Sequence, residues 1–215
     1  MARENEDLYS RRMSKLNLIT LVIIYLLNFE CLAHSPEEGM IWATTGPYVY
    51  RTKTSMSHPG NTPYLGYGLI AEGDVDSNGG VEIAIFYIDK LYFSDKGDAH
   101  VVEQIKRMFI TTGYRHWFNE TFSFAGAIFS SYSMGDPKVV VGPDNADGLA
   151  TSARDITEYG MDFSFQTELW GNGQTAVVLD SRYSWSGTRN QREDSDVYGV
   201  ALAVKYLVPK KRKTD

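Results

Sequence analysis

From residue 158 to residue 208 the chain repeats one pattern, in which apolar and polar side chains alternate with a period of two. Tyr159, Met161, Phe163 and Phe165 share one face, while Glu158, Asp162, Ser164, Gln166 and Glu168 share the other with Gly160. Val177, Leu179, Tyr183 and Trp185 oppose Val178, Asp180, Arg182 and Ser184. In the last such segment Tyr198, Val200, Leu202, Val204, Tyr206 and Val208 alternate with Gly199, Ala201, Ala203 and Lys205. Successive side chains of a strand point to opposite sides, so each segment reads as a β-strand with one greasy face and one face of charges and small residues. No segment sustains the 3.6-residue period of an amphipathic helix.

Earlier segments follow the same rule less cleanly. Residues 64 to 73 place Leu65, Tyr67 and Leu69 opposite Gly66, Gly68 and Glu72. Residues 104 to 118 place Met108, Ile110, Tyr114 and His116 opposite Arg107, Thr111, Gly113 and Arg115, although Phe109 and Trp117 interrupt the polar face. Residues 121 to 133 set Phe122, Phe124 and Ile128 against Ser123, Ala125, Ala127 and Ser131. Residues 80 to 93 are apolar on both parities and cannot be oriented, and a first strand falls near residues 41 to 52. The count is eight.

The connections between these strands fall near residues 53–62, 74–79, 94–102, 118–120, 134–152, 170–173 and 187–195, so every second one is longer. Long external loops alternating with short internal turns are the rhythm of an outer-membrane barrel. Asn78-Gly79 and Gly171-Asn172-Gly173 supply turn chemistry at short connections. Asp74 to Gly79 also matches the first half of a calcium loop, but Ile85 stands where the bidentate Glu belongs, so a hairpin turn is the better account.

Composition narrows the setting. The net charge is -6, and the only basic cluster is Lys210 to Lys213, which argues against a nucleic-acid partner. One cysteine excludes a disulfide framework, and no Cys/His spacing implies structural zinc. Arg11, Arg12 and Lys15 precede an apolar stretch from Leu16 to Phe29, followed by small residues at Ala33-His34-Ser35. This is the layout of a secretory signal peptide over residues 1–35, with Met13 as an alternative start. About 14 helical residues rise only about 21 Å, too short to anchor in a bilayer. Cys31 lacks the small residues before it that processing at a lipidated cysteine requires.

Aromatic placement separates a membrane barrel from a water-soluble lipocalin-like barrel, whose apolar face turns inward. Tyr132, Tyr159, Trp185 and Tyr198 fall near the long loops, and Trp117, Phe118, Phe122, Trp170 and Tyr206 near the short turns. Two aromatic belts about 10 residues apart suit tilted strands crossing an apolar band about 25 Å tall. The opposite face collects Arg107, Arg115, Arg182 and Lys205 against Glu72, Glu158, Asp162, Glu168 and Asp180, with Lys90 and Glu82 joining if residues 80 to 93 keep the right parity. An eight-stranded barrel is only wide enough for its own side chains, so these charges are expected to form a packed network in the lumen.

In this architecture and in the terminal strand from Tyr198 to Val208 the chain resembles the small eight-stranded outer-membrane β-barrels of the OmpA/OmpX and OmpW type. The terminal strand looks like the signal read by the barrel-assembly machinery, although Val208 stands where an aromatic residue commonly closes such chains and Pro209 to Asp215 continue beyond it. The resemblance implies a cleavable signal peptide, an all-β, eight-stranded antiparallel up-and-down transmembrane β-barrel over residues 36–208, and a basic periplasmic tail over residues 209–215. It also implies the bacterial outer membrane as location, lipid and lipopolysaccharide as surroundings, a monomer, no cofactor, and a porin-like, non-catalytic role in envelope structure, surface interaction or narrow solute passage. Two alternatives stand beside it. One is a lipid-modifying enzyme or protease with a rim Ser/His/Asp site, for which Ser57-His58 and His100 with Asp95 and Asp98 are the only candidates. The other is a soluble periplasmic binding barrel.

Overall fold

A computed structural model describes residues 36–52, 63–96, 99–142, 151, 157–188 and 196–209, with the side chains of 93–96, 99, 100 and 141 excepted. The expected signal peptide, Cys31, Ser57, His58, Asp98 and the basic residues from Lys210 lie outside the described residues, as do the side chains of Asp95 and His100. Eight strands form in chain order: β1 (Ile41–Thr52), β2 (Tyr64–Asp76), β3 (Gly79–Lys96), β4 (Ala99–Trp117), β5 (Phe122–Val141), β6 (Glu158–Gly171), β7 (Thr175–Ser186) and β8 (Val197–Leu207). Each pairs antiparallel with its chain neighbours, and β1 pairs with β8 to close the barrel. Closure removes the open edges that a sheet otherwise exposes.

The expected alternation decides which way each strand faces. Tyr198, Val200, Leu202, Val204 and Tyr206 are exposed on the outer wall, while Val197, Ala201, Ala203 and Lys205 are buried in the lumen. Leu65, Leu69, Val81, Ile83, Ile128, Met161 and Phe165 extend the same apolar wall around the barrel. β3, which could not be oriented, turns Glu82, Ala84, Phe86, Ile88, Lys90 and Tyr92 inward. Its ambiguity has a simple cause: where three apolar side chains sit between the charges on the inner face, neither parity reads as polar.

Short turns at one end, here the lower end, are held by Asx geometry, in which an Asx side chain accepts hydrogen bonds from backbone N–H groups just ahead of it. Asp76 Oδ1 accepts from the Asn78 N–H at 2.7 Å, Asn119 Oδ1 from Thr121 and Phe122 at 2.8 Å, and Asn172 Oδ1 from Gln174 and Thr175 at 3.0 and 2.8 Å. Asp76 lies at its turn, beyond the wall, where chiefly the Asn78 N–H holds its carboxyl below the ordinary range. Asp74 faces the lumen and accepts from the Trp42 indole at 3.2 Å, so this segment serves the hairpin and the barrel interior.

The upper end departs from the expected loop pattern. The described residues between 94 and 102 are strand, because β3 and β4 stay paired as far as Lys96↔Ala99. β5 likewise runs to Val141, pairing with β4 through Val102↔Val141 past two register irregularities. β6, by contrast, leaves β5 at Ser131↔Glu158. The three strands β3, β4 and β5 therefore continue beyond the rest of the barrel as one antiparallel sheet.

Candidate functional site

The lumen is the place where this fold gathers chemistry. Among the described residues, five basic side chains (Lys90, Arg107, Arg115, Arg182 and Lys205) and eight acidic ones (Glu72, Asp74, Glu82, Glu103, Glu158, Asp162, Glu168 and Asp180) are buried. A buried charge is costly unless paired and hydrogen-bonded, so its partners define the site. The charges stack in three levels separated by an aromatic layer.

The middle level is a continuous network over five strands. The Arg182 guanidinium donates to Asp180 and Asp162 at 2.8 Å each and to Glu82 at 2.7 Å. Arg115 donates to Glu82 at 2.6 Å and to the hydroxyls of Ser123 and Ser164 at 2.8 Å, and it lies 3.3 Å from Asp180. Ser184 and Ser164 donate to Asp162 and Asp180 at 2.5 and 2.9 Å. Two guanidiniums face three carboxylates here, and their planar forks occupy the carboxylate oxygens nearly completely.

At the lower level Lys205 contacts Glu72 at 3.0 Å and Glu168 at 3.5 Å. Its ammonium stands 4.3 Å from the ring centre of Trp117 and 5.1 Å from that of Trp42, within cation–π range. Trp117 also donates its indole N–H to Glu72 at 2.7 Å. The belt assignment of Trp117 is therefore corrected. It shares the parity of Arg107 and Arg115 on β4, and an indole with a carboxylate and an ammonium to engage is better satisfied inside the barrel than at a wall.

Toward the upper end, Lys90 pairs with Glu158 at 2.6 Å, and Tyr92 donates to the same carboxylate at 2.9 Å. Arg107 donates to the Tyr92 hydroxyl at 2.6 Å and to the Ser131 hydroxyl and carbonyl at 2.8 and 2.7 Å. Glu103 accepts from Thr151.

Between the middle and upper levels lies a plug of Tyr48, Tyr50, Phe86, Ile88, Phe109 and Phe129. Phe109 stacks on Phe129 at 4.2 Å between ring centres, and Tyr48 lies 4.8 Å from Phe86. Glycines on the facing strands make room for these rings. A Cβ on Gly199 would fall 2.1 Å from the Tyr48 ring, one on Gly68 2.5 Å from Phe86, and one on Gly160 2.5 Å from Phe129. A gap beside the plug, bordered by Tyr48, Phe86 and Arg182, is a cavity of about 10 Å³, about the least that holds one water.

Alternation alone did not reveal this layer. The interruption of the β4 polar face by Phe109 and Trp117 is its one visible trace in the sequence, while Asp74 falls in the expected connection 74–79 and Glu103 between the expected connection 94–102 and the strand that follows. The remaining belt residues lie on the outer wall. Phe118, Tyr132, Tyr159, Trp170, Trp185, Tyr198 and Tyr206 are exposed, and Phe122 is half-buried against Phe165. Trp170 reaches the wall through a bulge. The β6–β7 register shifts between Glu168 and Trp170, so both residues, two apart in sequence, face opposite sides. His116 is exposed beside Phe118, with ring centres 5.3 Å apart.

A closed eight-stranded antiparallel barrel with an apolar outer wall and a filled, ion-paired lumen is the architecture of the small outer-membrane β-barrels. Solved structures that share the barrel fold include two outer-membrane proteins. Ail, the attachment invasion locus protein of Yersinia pestis, in complex with the heparin analogue sucrose octasulfate, superposes with a TM-score of 0.52 at 14% identity, over 80% of this chain and 100% of that one. The outer membrane protein OprG from Pseudomonas aeruginosa superposes with a TM-score of 0.53 at 12% identity, over 84% of this chain and 100% of that one. No protein-family model and no curated protein matches the sequence.

Proposed function

We propose that the protein is a non-catalytic barrel of the bacterial outer membrane, exported through its signal peptide, that reinforces the envelope and presents a rigid surface at its upper end without conducting solutes. The observation that carries this reading is the filled lumen. Three levels of ion pairs and an aromatic plug leave a cavity of about 10 Å³ beside the plug, whereas conduction requires a continuous hydrated path. The exposed rings from Phe118 to Tyr206 are suited to holding the barrel at the two interfaces of a bilayer, with outer-membrane lipid and lipopolysaccharide as surroundings. The upper extension of β3, β4 and β5 supports a role in surface interaction, because it lifts paired backbone beyond the rest of the wall.

Membrane fractionation followed by gel migration with and without boiling tests the location. A heat-modifiable band in the outer-membrane fraction is expected, and recovery without detergent refutes it. Planar bilayer recording tests the closed lumen, with a flat baseline expected from the purified full chain. Stable conductance steps would replace this reading with solute passage.

A further inference from the structure

The β2–β3 ladder stops at Tyr67↔Tyr87. Beyond that pair β2 continues against β1, with Gly66, Leu65 and Tyr64 facing Tyr48, Val49 and Tyr50. β3 continues instead against β4. The wall therefore parts between β2 and β3. Backbone groups released at such a parting need partners, and Tyr50 supplies them from the lumen side. Its hydroxyl accepts from the Asp89 N–H and donates to the Asp89 carbonyl at 3.1 Å.

On the outer surface the parting forms a groove of about 250 Å³. Leu65, Tyr67 and Tyr87 give it apolar sides, and Asp89 and Lys106 stand at its upper end. These two are cross-strand partners with side chains on the outer face. Opposite charges in that position ordinarily pair, yet among the described residues neither has an ion-pair partner. Gly79 opens β3 and Asp89 lies on the same strand; at about 3.3 Å rise per residue and about 40° tilt, the ten residues between them climb about 25 Å, the height of the apolar band. The separated charges thus sit where lipid headgroups begin, and the apolar groove lies below them at the depth of the chains.

We propose that this groove is a binding site for a zwitterionic amphiphile with an ammonium-phosphate head, its phosphate on Lys106, its ammonium on Asp89 and an acyl chain against Leu65, Tyr67 and Tyr87. A purely anionic head meets the Asp89 carboxylate as a like charge, which is why the pair selects a zwitterion. The proposal rests on the reading of the outer wall as lipid-facing. Native mass spectrometry of the full chain, released from micelles holding equal amounts of phosphatidylethanolamine and phosphatidylglycerol, tests it. One retained phosphatidylethanolamine is expected, favoured about tenfold, and Lys106→Ala or Asp89→Ala should each lower its retention about tenfold, the effect of one charge-assisted hydrogen bond. The exchange Asp89→Lys with Lys106→Asp should keep it. Equal retention of the two lipids by the unaltered chain overturns the proposal, and so does retention that neither alanine variant changes. Failure of the lipid-facing reading itself would look different, with the unaltered chain staying in solution without detergent and carrying neither lipid.

Discussion

Replacing Arg182 by Met removes the most connected cation of the lumen while keeping an unbranched side chain of similar length. Arg182 contacts three carboxylates at 2.7 to 2.8 Å, and its side chain is 1% exposed. Without it, Glu82 and Asp180 keep Arg115, but Asp162 is left with the Ser184 hydroxyl as its hydrogen-bond donor. Breaking a buried ion pair from one side costs about 3–5 kcal/mol, because the surviving charge stays desolvated. With a urea dependence of about 2 kcal/mol/M, the unfolding midpoint in lipid vesicles should fall by about 2 M. A second variant isolates the cause. Adding Asp162→Asn to Arg182→Met removes the stranded charge, so the pair should be less destabilised than the sum of the single changes by at least about 1 kcal/mol. A midpoint for Arg182→Met equivalent to less than about 0.5 kcal/mol from the unaltered chain, or strictly additive single changes, would refute the idea that these contacts hold the lumen together.

Gly199→Ala places a methyl 2.1 Å from the Tyr48 ring and should lower stability by about 1–3 kcal/mol through overpacking; combining it with Tyr48→Leu should recover part of the loss in the same urea titration. Shrinking the plug by Phe86→Ala together with Phe109→Ala should produce conductance in planar bilayers where the unaltered chain gives none, and a silent double variant would mean that the ion-pair levels alone seal the lumen. Single-tryptophan versions separate wall from lumen. Lipids brominated in their chains should quench Trp170 and Trp185, which are exposed, and spare Trp42 and Trp117, which are buried. Trp117→Phe leaves the ring near Lys205 but removes a buried hydrogen bond to the Glu72 carboxylate, and should cost about 1–3 kcal/mol, read from the urea midpoint.

Much of the barrel could be read from alternation because lipid-facing and lumen-facing positions differ in chemistry at nearly every step of β6, β7 and β8. That contrast fades where the lumen itself is apolar. β3 gave no parity because Ala84, Phe86 and Ile88 interrupt its inward charges, and Trp117 was drawn to a belt because its type outweighed its position. The β6 bulge is a different kind of limit. Counting by twos from Glu168 places Trp170 inside, and only the partner strand, through the register Trp170↔Val177, turns it out. The long β3–β4 hairpin escapes the sequence pattern because Asp95 and Lys96, inside the expected connection 94–102, have loop composition, although both are paired in the ladder. Side-chain partners across the lumen, such as Glu82 with Arg182 at 100 residues' separation, depend on barrel closure and cannot be inferred from any one strand.

The ladder between β1 and β8 joins the first strand to the last, from Trp42↔Leu207 to Thr52↔Val197. Every other ladder joins strands adjacent in the chain and can form as a hairpin, but this one must wait until the first and last strands meet. Until then two complete rows of amide and carbonyl groups stand open, and pairing so distant in sequence is slow. The nascent cylinder is thus most exposed to wrong partners just before it is finished, and whatever chaperones it has the most to protect at those two strands.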